Sequence, residues 1–139
     1  MTNLELINIA KNARKNSICN RTNYSVGAAL ITEEGTVYIG SNIEEYSILG
    51  LSNCAERVAI QNAFSHGERN IKAIAVVGGK SGCEIDDTLM PCGVCLQYIL
   101  DMCDNIDIIM YMDKKLVELK VKDLLNAPYI LKDKHENNI

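Results

Sequence analysis

Ile71-Lys72-Ala73-Ile74-Ala75-Val76-Val77, lying between Cys54-Ala55-Glu56-Arg57 and Pro91-Cys92-Gly93-Val94-Cys95, decides the architecture of this chain. The apolar run reads as a strand in the middle of a sheet, covered on both faces. Each flanking stretch opens a helix. Asn53 is placed to cap one that runs to Ser65, with Val58, Ala59 and Ala63 facing inward and Gly67 past its end. Pro91 and Cys92 open the other, apolar through Leu96, Ile99 and Leu100 and ending near Met102.

Outward from that centre the elements alternate. Asn3 to Asn16 place Leu4, Ile7, Ala10, Lys11 and Arg14 at helical spacing, with Thr2 as the N-cap. Val26–Thr32 and Thr36–Gly40 form a hairpin about the turn Glu33-Glu34-Gly35. Ser41–Ser52 and Gly78–Met90 read as loops. Asp107–Met112 and Leu116–Val121 are further strands, and a short helix starts near Lys122. The order α-β-β-α-β-α-β-β-α predicts an α/β fold, one mixed sheet with helices on its faces. Residues 1–131 are expected to form a single domain, and 132–139 a polar, frayed tail.

Bulk properties narrow the function. The chain has 139 residues, 47% hydrophobic and 23% charged, enough for one core without staples. A net charge of -4 argues against a sequence-independent grip on nucleic acid, and Lys114, Lys115, Lys120 and Lys122 read as an exposed face. No apolar run reaches the roughly 20 residues of a membrane span, and Met1-Thr2-Asn3-Leu4-Glu5 has no basic-then-apolar leader. A cytoplasmic protein is therefore expected. In that reducing compartment, six cysteines point to metal or catalytic use of a patterned subset rather than to disulfides.

Cys54, Cys92 and Cys95 make that subset. All three fall in the first turns of helices, where unpaired N–H groups and the helix dipole favour thiolate, the form that binds metal. Three cysteines occupy three corners of a zinc tetrahedron and leave the fourth open, as in catalytic rather than structural sites. Helix dipoles and the nearby Arg57 offset part of the anionic charge. Glu56, two residues from the first sulfur, is placed to move protons, and the anionic surroundings should raise its pKa. A Cys-x-Glu with Pro-Cys-x-x-Cys is a variant of the zinc-deaminase signature.

On these residues the chain resembles the cytidine deaminase family in its small, single-domain form. The resemblance is carried by Val26-Gly27-Ala28-Ala29-Leu30, Asn42-Ile43-Glu44, Cys54-Ala55-Glu56-Arg57, Pro91-Cys92-Gly93-Val94-Cys95 with Gln97, and Asp123-Leu124-Leu125-Asn126-Ala127-Pro128-Tyr129. It implies a three-layer α/β/α fold with a five-stranded mixed sheet. It also implies hydrolytic deamination of cytidine or deoxycytidine in pyrimidine salvage, with one zinc on Cys54, Cys92 and Cys95 and Glu56 as the catalytic proton shuttle. Asn42 and Glu44 would bond the ribose, Ala55 backbone the base edge, and Tyr24 and Tyr129 would flank the pyrimidine. The family form is a homotetramer, with a homodimer as the smaller possibility.

The loop from Asn42 to Asn53 departs from the family. It is one residue longer, Glu45 stands where Asn is common, and Tyr46-Ser47-Ile48-Leu49-Gly50 replaces Ala-x-Tyr-Gly. Leu96 stands where Arg is frequent. Tyr24-Ser25-Val26 and Tyr129 also resemble blasticidin S deaminases, which act on a cytosine-bearing antibiotic. Two alternatives stay open at this level: a Cys-x-x-Cys dithiol oxidoreductase, and a structural zinc module with Cys19, Cys83, Cys103 or His66 as fourth ligand. Taken singly, Cys19 and Cys103 read as small buried apolar residues and His66 as a surface residue at a helix C-terminus.

Overall fold

The computed structural model describes residues 1–131, so the expected tail at 132–139 lies outside the described residues. Thr2 caps helix α1 (Asn3–Ala13) reciprocally: its hydroxyl accepts from the Glu5 amide at 3.1 Å, and the Glu5 carboxylate accepts from the Thr2 amide at 2.9 Å. The buried stripe is Leu6, Ile7, Ala10 and Ala13 rather than the expected one through Leu4 and Lys11. At about 100° per residue, Leu4 points roughly 130° away from the centre of that stripe, and it remains 50% exposed.

Strands β1 (Tyr24–Thr32) and β2 (Val37–Ser41) form the predicted hairpin, with Gly35 at φ 94° in the turn. Helix α2 (Ala55–Ser65) follows the loop, and strand β3 (Ile71–Lys80) returns to the sheet beside β1. β3 runs three residues beyond the expected Val77. Gly78, Gly79 and Lys80 pair with Val26, Ser25 and Tyr24, a partner invisible to local composition. Helix α3 (Gly93–Cys103), strands β4 (Asp107–Met112) and β5 (Lys115–Lys120) and helix α4 (Val121–Leu124) follow among the described residues.

The sheet order is β2-β1-β3-β4-β5, parallel only between β3 and β4. Parallel neighbours need a crossover, and α3 supplies it. Successive side chains of β3 point to opposite faces. Ala73, Ala75 and Val77 pack with Leu6, Ile7 and Ala10 of α1, whereas Ile74 and Val76 pack with Ala59, Ile60, Leu96 and Ile99 of α2 and α3. The molecule is therefore the expected three-layer α/β/α fold on a mixed five-stranded sheet. None of its described helices is long and apolar enough to cross a membrane.

Two helix starts shift by one or two residues, and both shifts matter for the site. Asn53 does not cap α2, because its backbone is held extended by paired bonds to Ile43, 2.9 Å and 2.8 Å long; Cys54 becomes the N-cap. Cys92 is likewise the N-cap of α3, which begins at Gly93. The inward face of α2 is Ala55, Glu56, Ala59, Ile60 and Ala63, with Val58 only half-buried.

Close approach of β2 to α2 fixes where that first turn sits. A Cβ built on Gly40 would lie 2.4 Å from both the Ala55 carbonyl oxygen and the Ala59 nitrogen, rigid backbone on each side. Gly40→Ala should therefore cost about 1–3 kcal/mol, a melting point several degrees lower. Gly50→Ala, which meets nothing within 4 Å, should melt with the parent in the same thermal scan.

Candidate active site

The N-termini of α2 and α3 aim at one point. Cys54 and Cys92 occupy the two N-cap positions in extended conformation, and Cys95 sits one turn into α3. Their three Sγ atoms lie within 4.8 Å of one another. A metal held at about 2.3 Å from each sulfur needs them within roughly 4 Å, so modest side-chain rotation closes the set. Among the described residues no fourth His, Cys, Asp or Glu joins them. Cys19 and Cys103 are buried apolar residues as expected, and His66 is exposed at the C-terminus of α2.

Thiol chemistry within the cluster supports a metal. The Cys54 thiol is drawn down to about 5, first by the hydrogen bond from Cys95 and then by the Arg57 guanidinium, whose Nη2 donates to Sγ at 3.3 Å. Cys95 is pushed up, because it donates to Cys54 and is buried. One sulfur is thus a thiolate while its neighbour keeps a proton, which an incoming soft cation would displace. The donor set fits zinc. Arg57 Nε is buried with no hydrogen-bond partner, a further donor held beside the sulfurs.

Glu56 projects from the first turn of α2 into a cleft of about 350 Å³ that also borders Cys54 and Cys92. It is only 4% exposed. Burial raises its carboxyl to about 7, and the adjacent Cys54 thiolate pushes the same way. A carboxyl balanced near neutrality at the cleft floor can both take and give a proton.

The remaining predicted residues divide. Asn42, Glu44 and Ala55 line the cleft, and Cys95 lies buried behind it. The Asn42 side chain is largely committed within the protein: Oδ1 accepts from Ser17 Oγ at 2.7 Å and from the Val26 amide at 2.8 Å, while Nδ2 donates to the Tyr24 carbonyl at 2.9 Å. Glu44 is committed too. Its carboxylate accepts from the Arg21 and Thr22 amides, each at 3.1 Å, and from the Thr22 hydroxyl at 2.5 Å. Burial raises its pKa, but those donors and Arg21 outweigh the effect and hold it below the usual value.

Tyr24 and Tyr129 do not line the cleft. Tyr24 is half-buried against Gly78 and donates its hydroxyl to Asp86 at 2.6 Å. Tyr129 is 68% exposed, its backbone clasped by the Gln97 amide through two 2.8 Å bonds. Sequence reasoning missed Arg21, Leu49, Asn53 and Met90 as cleft residues. Leu49 had a signal in the exposed apolar run Ile48 to Leu51; Arg21, within Asn20-Arg21-Thr22-Asn23, had none.

Comparison with known proteins agrees with this geometry. Residues 1–112 match the model of the cytidine and deoxycytidylate deaminase zinc-binding region. A cytidine deaminase of Sporosarcina psychrophila is 42% identical over 101 residues, covering 73% of this chain and 70% of that one. A blasticidin-S deaminase of Bacillus cereus is 30% identical over 129 residues, 91% of each chain. The crystal structure of a cytidine deaminase from Burkholderia pseudomallei superposes with a TM-score of 0.82 at 36% identity, covering 93% of this chain and all of that one. With its three-layer fold, its three converging sulfurs and a buried carboxyl beside them, the chain belongs to the zinc-binding cytidine and deoxycytidylate deaminase family.

Proposed function

We propose that this protein hydrolyses the C4 amine of a cytosine nucleoside, cytidine or deoxycytidine, giving the uracil nucleoside and ammonia. The observation that carries the proposal is Glu56, a buried carboxyl raised to about 7 on the wall of a cleft it shares with the cysteine cluster. Cys54, Cys92 and Cys95 hold the zinc, which when bound supplies the Lewis acidity that makes a water nucleophilic near neutral pH. Glu56 accepts the proton that water gives up and delivers it to ring nitrogen N3, then takes the remaining proton of the hydroxyl added at C4 and passes it to the departing amine. The first N–H groups of α2, around Ala55, have no intrahelical acceptors at the border of the cleft, which supports a role in binding the base edge. Arg57 steadies the Cys54 thiolate.

The cytoplasmic homotetramer implied by the family resemblance is part of the same proposal. Association of copies is supported by the large apolar side chains a lone chain leaves in water, among them Ile48, Leu51, Val94 and Ile130, each more than 60% exposed, while four copies and the cytoplasm rest on the resemblance. A second reading, deamination of a cytosine-bearing antibiotic, is favoured by the near full-length likeness to the Bacillus cereus protein and by the commitment of Asn42 and Glu44. Ammonia release from cytidine, deoxycytidine, cytosine and blasticidin S, measured side by side, decides between them. Turnover of the antibiotic alone would replace the first reading with the second.

Purified protein should carry about one zinc per chain by elemental analysis. Glu56→Gln should keep the metal and lose activity on the order of 10²-fold or more; parental rates in that variant would end the mechanism. Cys92→Ser should lose zinc and melt earlier, and full occupancy would remove Cys92 from the ligand set. Because Cys95 stays protonated in the metal-free protein, zinc uptake should release protons and tighten as pH rises. Calorimetry in buffers of different ionisation enthalpy reads that release directly.

A further inference from the structure

We propose that Asn53 is a positioning residue for the cysteine cluster. With Gln61 and Tyr98 it forms a polar strut from the cap of α2 to α3, and the strut sets Cys54 and Arg57 against the sulfurs of α3. The inference rests on the reading of Cys54, Cys92 and Cys95 as zinc ligands and names what holds their geometry.

Cys54 makes no side-chain capping bond, so its sulfur is placed by the residues on either side of it. Asn53 precedes it, with backbone fixed by the paired bonds to Ile43. The Asn53 side chain turns along α2: Nδ2 donates to Gln61 Oε1 at 2.7 Å, and Gln61 Nε2 donates to the Tyr98 hydroxyl at 3.3 Å. Tyr98 lies on α3, one turn beyond Cys95. The bonds therefore join the residue before one sulfur to the residue three past another. Apolar packing of Ile60 and Ile99 is non-directional and sets how close the helices lie. A directional chain of hydrogen bonds sets how one helix is placed along the other. A second observation points the same way. Among the described residues, Asn53 Oδ1 and Arg57 Nε are buried without hydrogen-bond partners, one an acceptor and the other a donor. Gln61 lies one turn past Arg57 on the same face of α2, so the amide that reaches Gln61 runs along the stripe that carries Arg57. With Nδ2 tied to Gln61 the amide cannot turn over, and its oxygen is left for the guanidinium that holds Cys54 Sγ at 3.3 Å. Pairing the two would relieve both of the cost of burial without a partner.

The test reads the metal rather than turnover. Zinc affinity is measured by competition with a chromophoric chelator, and the cobalt-substituted protein is followed by visible absorption. Asn53→Ala should bind zinc about tenfold more weakly and shift the cobalt d–d bands. Tyr98→Phe, which removes only the hydroxyl, should weaken zinc about threefold. The double variant should be little worse than Asn53→Ala, because the residues act in one chain. Gln61→Leu should lose affinity as Asn53→Ala does. Gln61→Glu, whose carboxylate can accept from both the Asn53 amide and the Tyr98 hydroxyl, should stay within about twofold of the parent. Asn62→Ala, which removes a 3.3 Å bond from the same helix to the Ile39 carbonyl, should change neither affinity nor spectrum. Parental affinity and spectrum in Asn53→Ala overturn the proposal, as do additive losses in the double variant or a Gln61→Glu protein as weak as Gln61→Leu. If Asn53→Ala does not fold, Tyr98→Phe and the two Gln61 variants decide by the same readings. Full zinc occupancy in Cys92→Ser would sink the ligand reading alone. Zinc loss there with an unmoved Asn53→Ala would sink the strut alone.

Discussion

Two helix N-termini are held against each other at one end of the sheet, and the chemistry follows from that constraint. An N-cap residue sits with extended backbone just outside the helix, so its side chain projects beyond the first turn instead of lying along it. Cys54 and Cys92 both occupy such positions, and Cys95 lies one turn on. Three sulfurs, one carboxyl and unpaired amides are thereby gathered within a few residues of the two helix starts. What keeps the two starts together is packing on a single sheet face, through Ala59, Ile60, Leu96 and Ile99 against Ile74 and Val76. The core and the site are therefore one arrangement: side chains that exclude water from the sheet also set the distance between the sulfurs.

Electrostatics within the cluster are arranged in opposition. Burial disfavours the charged form of Glu56, and the Cys54 thiolate disfavours it further, while Arg57 and the Cys95 thiol favour that thiolate. Neighbouring groups are thus held in different protonation states by their mutual positions, the pattern that separates a proton carrier from a metal ligand. The cost is polar burial, visible in the Arg57 Nε left without a partner.

The fold was legible in the chain because its strongest signals were local. An apolar run flanked by two helix starts specified a covered strand, and the hairpin and the cysteine cluster followed from spacing. What stayed hidden depended on distant partners. Gly78 and Gly79 look like loop residues until β1 is seen to pair with them, and Asn53 looks like a cap until Ile43 holds it extended. Asn42 and Glu44 line the cleft, but the bonds that engage them come from Ser17, Arg21 and Thr22, which no pattern singles out, and from the backbone of Tyr24, a residue read for its ring instead. Arg21 could not be found at all, since a lone cation in a polar stretch is ordinary until the chain folds it over a cavity.

The small bridge between Ile43 and Asn53 has a consequence for how such a protein can change. Its paired backbone bonds tie together the two ends of the segment between them, next to the cap that carries Cys54. For a loop whose ends are already fastened, added residues cost only a slowly growing closure entropy. That segment can lengthen, shorten or exchange side chains while the sulfurs and the carboxyl stay where they are. Selection can therefore revise what enters the cleft without disturbing what happens inside it.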